Sequence, residues 1–167
     1  MLIAGIDPGK KHLGFCIFDT VTNRIEKWEL LHVDETSPRT LVASIRDVFE
    51  DVARCHRVYI ERQPPQNTSM CRVQHYLQMY LELKCPMCEV FIVQASKRTR
   101  FLKAAAASCP TKLLFDTYHQ RKKSSVAYVD HLLANGDVQC SDDLRSRFSS
   151  AEKRDDFAEA LLLAFAA

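Results

Sequence analysis

"GIDPGKKHLGFCIFD", residues 5–19, decides the fold. The apolar run Met1–Ile6 ends in Asp7, Pro8-Gly9 turns the chain, and His12–Asp19 forms a second extended segment. Pro presets the backbone for a turn and Gly relieves its strain, so the stretch reads as strand, sharp connection, strand. Asp7 then stands at the edge of a sheet. Two roles suit it there: turn former, or a carboxylate held out for chemistry.

Working outward, Asp19-Thr-Val-Thr-Asn23 is a second turn, and residues 24–33 form a third strand. Strands this close in sequence predict an antiparallel meander over 1–7, 12–19 and 24–33. Ser37-Pro38 opens a helix with Leu41, Val42, Ile45, Val48, Phe49 and Val52 at helical spacing, running to Ala53. Arg57–Glu61 is a short strand stopped by Gln63-Pro64-Pro65. A helix capped by Asn67 or Thr68 extends to Lys84, and its apolar residues cover more of its circumference than one core contact needs. Glu89–Gln94 is a further strand. Helical patterns follow at 98–106, 111–119 and 124–135, the last with Gly136 as its C-cap. A polar loop, 137–150, leads to an apolar helix over 155–166. The order predicts a single α/β domain over 1–167: a mixed sheet, an antiparallel three-strand meander plus parallel strands, flanked by helices.

Composition narrows the function classes. The chain has 167 residues and a net charge of only +2. That near-neutrality hides a basic region, eight Lys and Arg against Asp116 over 97–123, and an acidic one, seven acids against four bases over 137–159. A nucleic-acid footprint beside a metal site takes this form, as do two solvated surfaces. Seven cysteines and no secretory-type start imply reduced thiols in an intracellular compartment. No run approaches membrane-spanning length, and neither a P-loop nor a dinucleotide glycine fingerprint occurs, so no membrane and no small-molecule cofactor is expected. Cys71, His75, Cys85 and Cys88 give an irregular zinc-like spacing as a minor alternative.

Four carboxylates stand out by place. Asp7 and Glu61 end strands, while Asp156 and Glu159 lie three apart on the last helix and share a face. Asp156-x-x-Glu159 also reads as a capping box. If the strands of Asp7 and Glu61 are neighbours and the last helix crosses them, four carboxylates converge. Such a cluster needs cations, and oxygen-only ligands suit Mg²⁺ or Mn²⁺. Two such ions in one site support phosphodiester hydrolysis.

"GIDPGKKHLGFCIFD", "VYIERQPPQN", "QRKKSSVAYVDHLL" and "KRDDFAEALLLAFA" together resemble, in order, the motifs of RuvC-like Holliday junction resolvases, nearest to the poxvirus branch. The resemblance implies an RNase H-like fold, a homodimer, and Mg²⁺- or Mn²⁺-dependent paired nicking of four-way DNA junctions with two ions per active site. It assigns metal binding and catalysis to Asp7, Glu61, Asp156 and Glu159. The family's last carboxylate is usually Asp, so Glu159 departs from the pattern and Asp155 is the reserve ligand. Lys97 matches the family's lysine near the scissile phosphate. Lys97, Arg98, Arg100, Lys103, Arg121, Lys122 and Lys123 become the DNA-binding surface, and Met79 and Tyr80 the dimer interface. The expected compartment is the cytoplasm, a viral replication site for a viral protein; a mitochondrion fits less well without an Arg- and Ser-rich presequence. Other RNase H-like nucleases, cutting RNA–DNA hybrid or flapped DNA, would carry the same carboxylates. A non-catalytic junction-binding protein is the alternative of another class.

Overall fold

The computed structural model describes residues 1–33 and 37–166, with the backbone alone for Asp47 and Val48, so the inward position expected of Val48 lies outside the described side chains. Three strands open the chain: β1 (Leu2–Asp7), β2 (His12–Asp19) and β3 (Arg24–His32). Helix α1 (Pro38–Phe49) and a 3-10 turn (Asp51–Arg54) lead to β4 (Arg57–Glu61), and α2 (Thr68–Lys84) leads to β5 (Glu89–Val93). Helices α3 (Ala95–Ala105), α4 (Tyr118–Asn135), α5 (Asp142–Ser150) and α6 (Arg154–Phe165) complete it.

The five strands form one sheet in the order β3-β2-β1-β4-β5. The meander is antiparallel, and β4 joins β1 in parallel with Ile6 beside Ile60. One further step in that register sets Asp7 next to Glu61, as the sequence pattern anticipates. The sheet is buried on both faces. One face packs on α1 and α2 through Ile6, Leu13, Phe15 and Ile60; the other packs on α6, α4 and α5 through Cys16, Trp28, Tyr59 and Phe157. This is the mixed sheet, an antiparallel meander plus parallel strands flanked by helices, that the sequence predicts.

Several elements differ from the sequence expectation. The helix expected over 111–119 is irregular chain, because Thr117 starts α4 instead. The Thr117 hydroxyl accepts from the Gln120 backbone N–H (3.1 Å), and the Gln120 side chain accepts from the Thr117 N–H (3.0 Å), a complete capping box. Ser124 then ties the irregular segment down through both backbone groups of Leu114, at 2.8 Å each. The loop expected over 137–150 contains α5, capped by Ser141 and anchored by Phe148, which stacks on Trp28 at 4.5 Å. Helix α1 ends at Phe49, four residues short of the expected Ala53, and a 3-10 turn follows. The zinc-like spacing does not assemble: Cys71 and Cys85 lie at opposite ends of α2, fourteen residues or about 21 Å apart along its axis.

Candidate active site

The site is built where α6 crosses the sheet. Close crossing is possible because the two glycines beneath it have no side chain. A Cβ on Gly14 would run into the Asp156 carbonyl and approach the Ala160 Cβ to 3.3 Å; one on Gly5 would meet the Ala160 carbonyl and the Ala164 N–H. Gly14 is also the register partner of Asp7. The closest approach of the helix therefore falls beside the strand end that carries Asp7. Trp28 locks the helix in place, donating from Nε1 to the Phe157 carbonyl at 2.8 Å and packing edge-on against the Phe157 ring.

Asp7, Asp156 and Glu159 each present a carboxylate oxygen within 4.8 Å of the others. Together with Glu61 they line a cavity of about 320 Å³, whose rim includes Gly9, His12 and Tyr118. The four carboxylates singled out from sequence are thus brought together. Asp155, the reserve ligand, lies beside them and is turned toward Lys122.

Two cations reach into the cluster. The Arg98 guanidinium bridges Glu61 and Glu159, donating to Glu159 Oε1 at 2.8 Å and in close contact with Glu61. Lys122 Nζ contacts Asp155, lies 3.0 Å from Asp156 and 3.5 Å from Glu159. Five carboxylates therefore face two cations, an imbalance that shows in the proton affinities. Burial, then the nearby charges of Glu61 and Glu159, push the Asp7 carboxyl well above its usual range. Burial likewise raises Glu61 and Asp156, with Arg98 and Lys122 pulling the other way. Asp155 is lowered, since Lys122 outweighs its burial. Burial works against the charge on Lys122, but Glu159, Asp155 and Asp156 hold it firmly protonated. The donor set is all oxygen and short of positive charge, which fits hard divalent cations.

The basic stretch is distributed differently from the sequence expectation. Arg98 is buried and Lys122 is committed to three carboxylates, so neither belongs to an open phosphate-binding surface. Arg121 donates to the Phe115 carbonyl at 3.2 Å. Lys97, Arg100, Lys103 and Lys123 are exposed. Lys97 stands outside the carboxylate cavity, its Nζ 5.7 Å from the centre of the Tyr59 ring, and the lysine that reaches the carboxylates is Lys122. Sequence reasoning placed Arg98 on the surface; the overlooked signal is that Arg98 and Leu102, one turn apart, are the buried positions of α3. On α2, Met79 and Leu83 are exposed, at 55% and 73%, while Tyr80 is half-buried with its ring 6.2 Å from Phe49. Among the described residues no helix is long and apolar enough to cross a membrane.

Comparison with known proteins follows the same line. The family described as Poxvirus A22 protein matches the chain over residues 1–167. A curated relative, the uncharacterized protein 97L of Invertebrate iridescent virus 3, is 29% identical over 65% of this chain and 46% of its own. The chain thus spans about half the length of that relative. Among solved structures, the yeast mitochondrial Holliday junction resolvase Ydc2 superposes with a TM-score of 0.64 at 16% identity, covering 98% of this chain and 77% of its own. Fowlpox virus resolvase, in complex with substrate Holliday junction DNA, gives 0.62 at 17% identity, with 99% and 95% covered. T. thermophilus RuvC, in complex with a Holliday junction substrate, gives 0.59 at 18%, with 99% and 91% covered. At these identities the structural likeness speaks for the fold.

Proposed function

The chain belongs to the Poxvirus A22 protein family, and from that premise we propose that it is a Holliday junction resolvase, a metal-dependent endonuclease making paired symmetric nicks in four-way DNA junctions. The observation that carries the reading is the convergence of Asp7, Asp156 and Glu159 within 4.8 Å, beside Glu61, at the strand ends of this fold. These residues would hold Mg²⁺ or Mn²⁺, two ions per site, with Asp155 within reach of a shift of Lys122. When bound, the ions supply an activated water and charge stabilisation at the leaving oxygen.

The chain's own residues set the rest. Asp7 and Glu61 are fixed by strand pairing, and Asp156 and Glu159 by a helix seated on bare glycine, so ligands from two rigid elements meet with little freedom to drift. Arg98, between Glu61 and Glu159, holds both carboxylates apart and oriented. Lys122 is the more accessible of the two cations, and its contacts with Asp155, Asp156 and Glu159 are those that a bound divalent ion would replace. The exposed Lys97, Arg100, Lys103 and Lys123 neutralise backbone phosphates, positioning the arms without reading bases. The outer face of α2, with Met79 and Leu83 and the edge of Tyr80, is the contact with a second copy. A C2 dimer presents two sites to the two-fold symmetric crossover. The place of action is an intracellular, reducing compartment, the cytoplasmic replication site of a virus.

The test compares wild type with Asp7→Asn on a synthetic four-way junction, a matched linear duplex, a flapped duplex and an RNA–DNA hybrid, with and without Mg²⁺ or Mn²⁺. Paired, metal-dependent nicks near the crossover that vanish in Asp7→Asn while junction binding survives are the expected result. Preferential cutting of the hybrid or flap, or tight junction binding with no cutting in either metal, overturns it.

A further inference from the structure

A second cavity, about 620 Å³, opens directly beside the carboxylate cavity. Tyr118 and Lys122 line both, and the consecutive α6 residues Asp155 and Asp156 face one cavity each. Its inner wall is apolar, with Val126 and Ala127 of α4 and Ala151 ahead of α6. Its rim carries His119, Lys123 and Lys153, which make no ion pair among the described residues. The acids that share the lining are mostly spent: Asp130 is paired with Arg154 at 2.5 Å and Asp155 with Lys122, leaving Glu152 alone. Tyr118 is 66% exposed at the mouth, with Lys122 Nζ 5.4 Å from its ring centre.

An apolar pocket with an aromatic lip and two lysines outside any ion pair on its rim suits a nucleotide: a flat base for the ring and the apolar wall, a phosphate for Lys123 and Lys153. Its volume is in the range of small-ligand sites and too small to admit a duplex. Resting on the resolvase reading, we infer that this pocket receives one unstacked nucleotide of the cleaved strand, next to the scissile phosphate. Its base lies against Tyr118 and its phosphate faces Lys123 and Lys153. A crossover is where such a nucleotide is cheapest to supply, because extrusion costs least where stacking and pairing are already compromised. The pocket thereby ties cutting to branched DNA without base-edge readout: an intact duplex has no loose nucleotide to offer.

The experiment uses the full-length Asp7→Asn protein and junctions carrying 5-iododeoxyuridine at single positions within a few nucleotides of the crossover. Anisotropy of an arm-end fluorophore first measures junction binding; photolysis then maps adducts by mass spectrometry. The inference expects an adduct on Tyr118 from one position of the cleaved strand and none from the same base in linear duplex. In that background a further Tyr118→Ala change removes the adduct and weakens junction binding about tenfold, the loss of one base–aromatic stack, while Tyr118→Phe restores both. Tyr118 is exposed enough for these changes to leave the fold intact. Normal binding with adducts only outside the pocket, or Tyr118→Ala binding as tightly as its parent, overturns the inference and leaves the resolvase reading standing. No junction binding at all, seen before photolysis, removes both.

Discussion

Arg98 offers the sharpest perturbation. Its guanidinium is the shared counter-ion of Glu61 and Glu159, whose side chains are only 14% and 5% exposed. Arg98→Met fills similar space without charge and leaves two buried carboxylates facing each other and Asp7. Deleting one partner of a buried ion pair costs about 3–5 kcal/mol. Protonation sets a ceiling: a carboxylate with an ordinary pKa of 4.5 is neutralised at pH 7.5 for about 1.4 kcal/mol per pH unit, or about 4 kcal/mol. The expected loss at pH 7.5 without divalent metal is therefore about 3–4 kcal/mol, a fall in Tm of roughly 10 °C for a chain of this size.

The sign of its pH dependence follows from Glu61. Burial already raises this carboxyl while Arg98 pulls it down, so removing Arg98 raises it further. The native state then keeps a proton that the unfolded chain has released. Stability is intact below the unfolded value near 4.5 and is lost as pH climbs toward the folded one. Urea unfolding of wild type and Arg98→Met in EDTA, at pH 5 and pH 7.5, measures the difference. Wild type slopes the same way through Asp7 and Asp156, so the informative quantity is the variant's excess loss. A deficit under about 1 kcal/mol at pH 7.5, too small for an uncompensated buried charge, refutes the counter-ion role. A deficit equal at both pH values assigns Arg98 to packing alone.

Other perturbations probe the same geometry. Gly14→Ala forces a methyl group against the Asp156 carbonyl, so α6 lifts beside Asp7; the expected cost is about 1–3 kcal/mol in unfolding experiments, with Mg²⁺ binding weakened at least tenfold by calorimetry. Unchanged metal affinity would show that the helix seat does not set the ligand spacing. Lys122→Met removes the cation that metal must displace from Asp155 and Asp156, so Mn²⁺ affinity rises while junction cleavage falls; equal affinity in both proteins contradicts that exchange. Metal binding to wild type should release protons, to an extent that shrinks as pH rises, because Asp7 and Asp156 hold theirs above the usual carboxylate range. Calorimetry in buffers of different ionisation enthalpy reads this directly, and zero proton release would place both groups already ionised.

The parts of the site carried by strands were legible because strand ends and parallel pairing follow from short, local patterns. Asp7 closes an apolar run before Pro-Gly, Glu61 closes another before Gln63-Pro64-Pro65, and their pairing needs only that β1 and β4 be neighbours. The cations were not legible in the same way. A basic run reads as surface, and the one local cue that Arg98 turns inward is the apolar Leu102 one turn on. Lys122 needs the face of α4 that it shares with Ser125 and Val129, and a helix that starts at Ser124 on the sequence pattern leaves Lys122 outside that face. Helix α5 was lost in a polar stretch although Ser141 followed by two acids is a proper helix start.

The capping-box reading of Asp156-x-x-Glu159 failed for a reason tied to function. Helix α6 starts at Arg154, and its N-cap, Lys153, makes no side-chain capping bond. Had Asp156 been the cap, its carboxylate would be turned back onto the helix's own N–H groups and withdrawn from Asp7. Starting the helix three residues earlier leaves a cap unmade, a sacrifice of about 1 kcal/mol, and directs both Asp156 and Glu159 across the sheet. The bond from Trp28 to the Phe157 carbonyl and the glycine seat beneath Asp156 hold the first turn in place of the missing cap. Local rules give way where ligands must point at a shared centre. A residue pattern that scores well as a cap is therefore ambiguous wherever the same acids sit opposite a strand-end carboxylate.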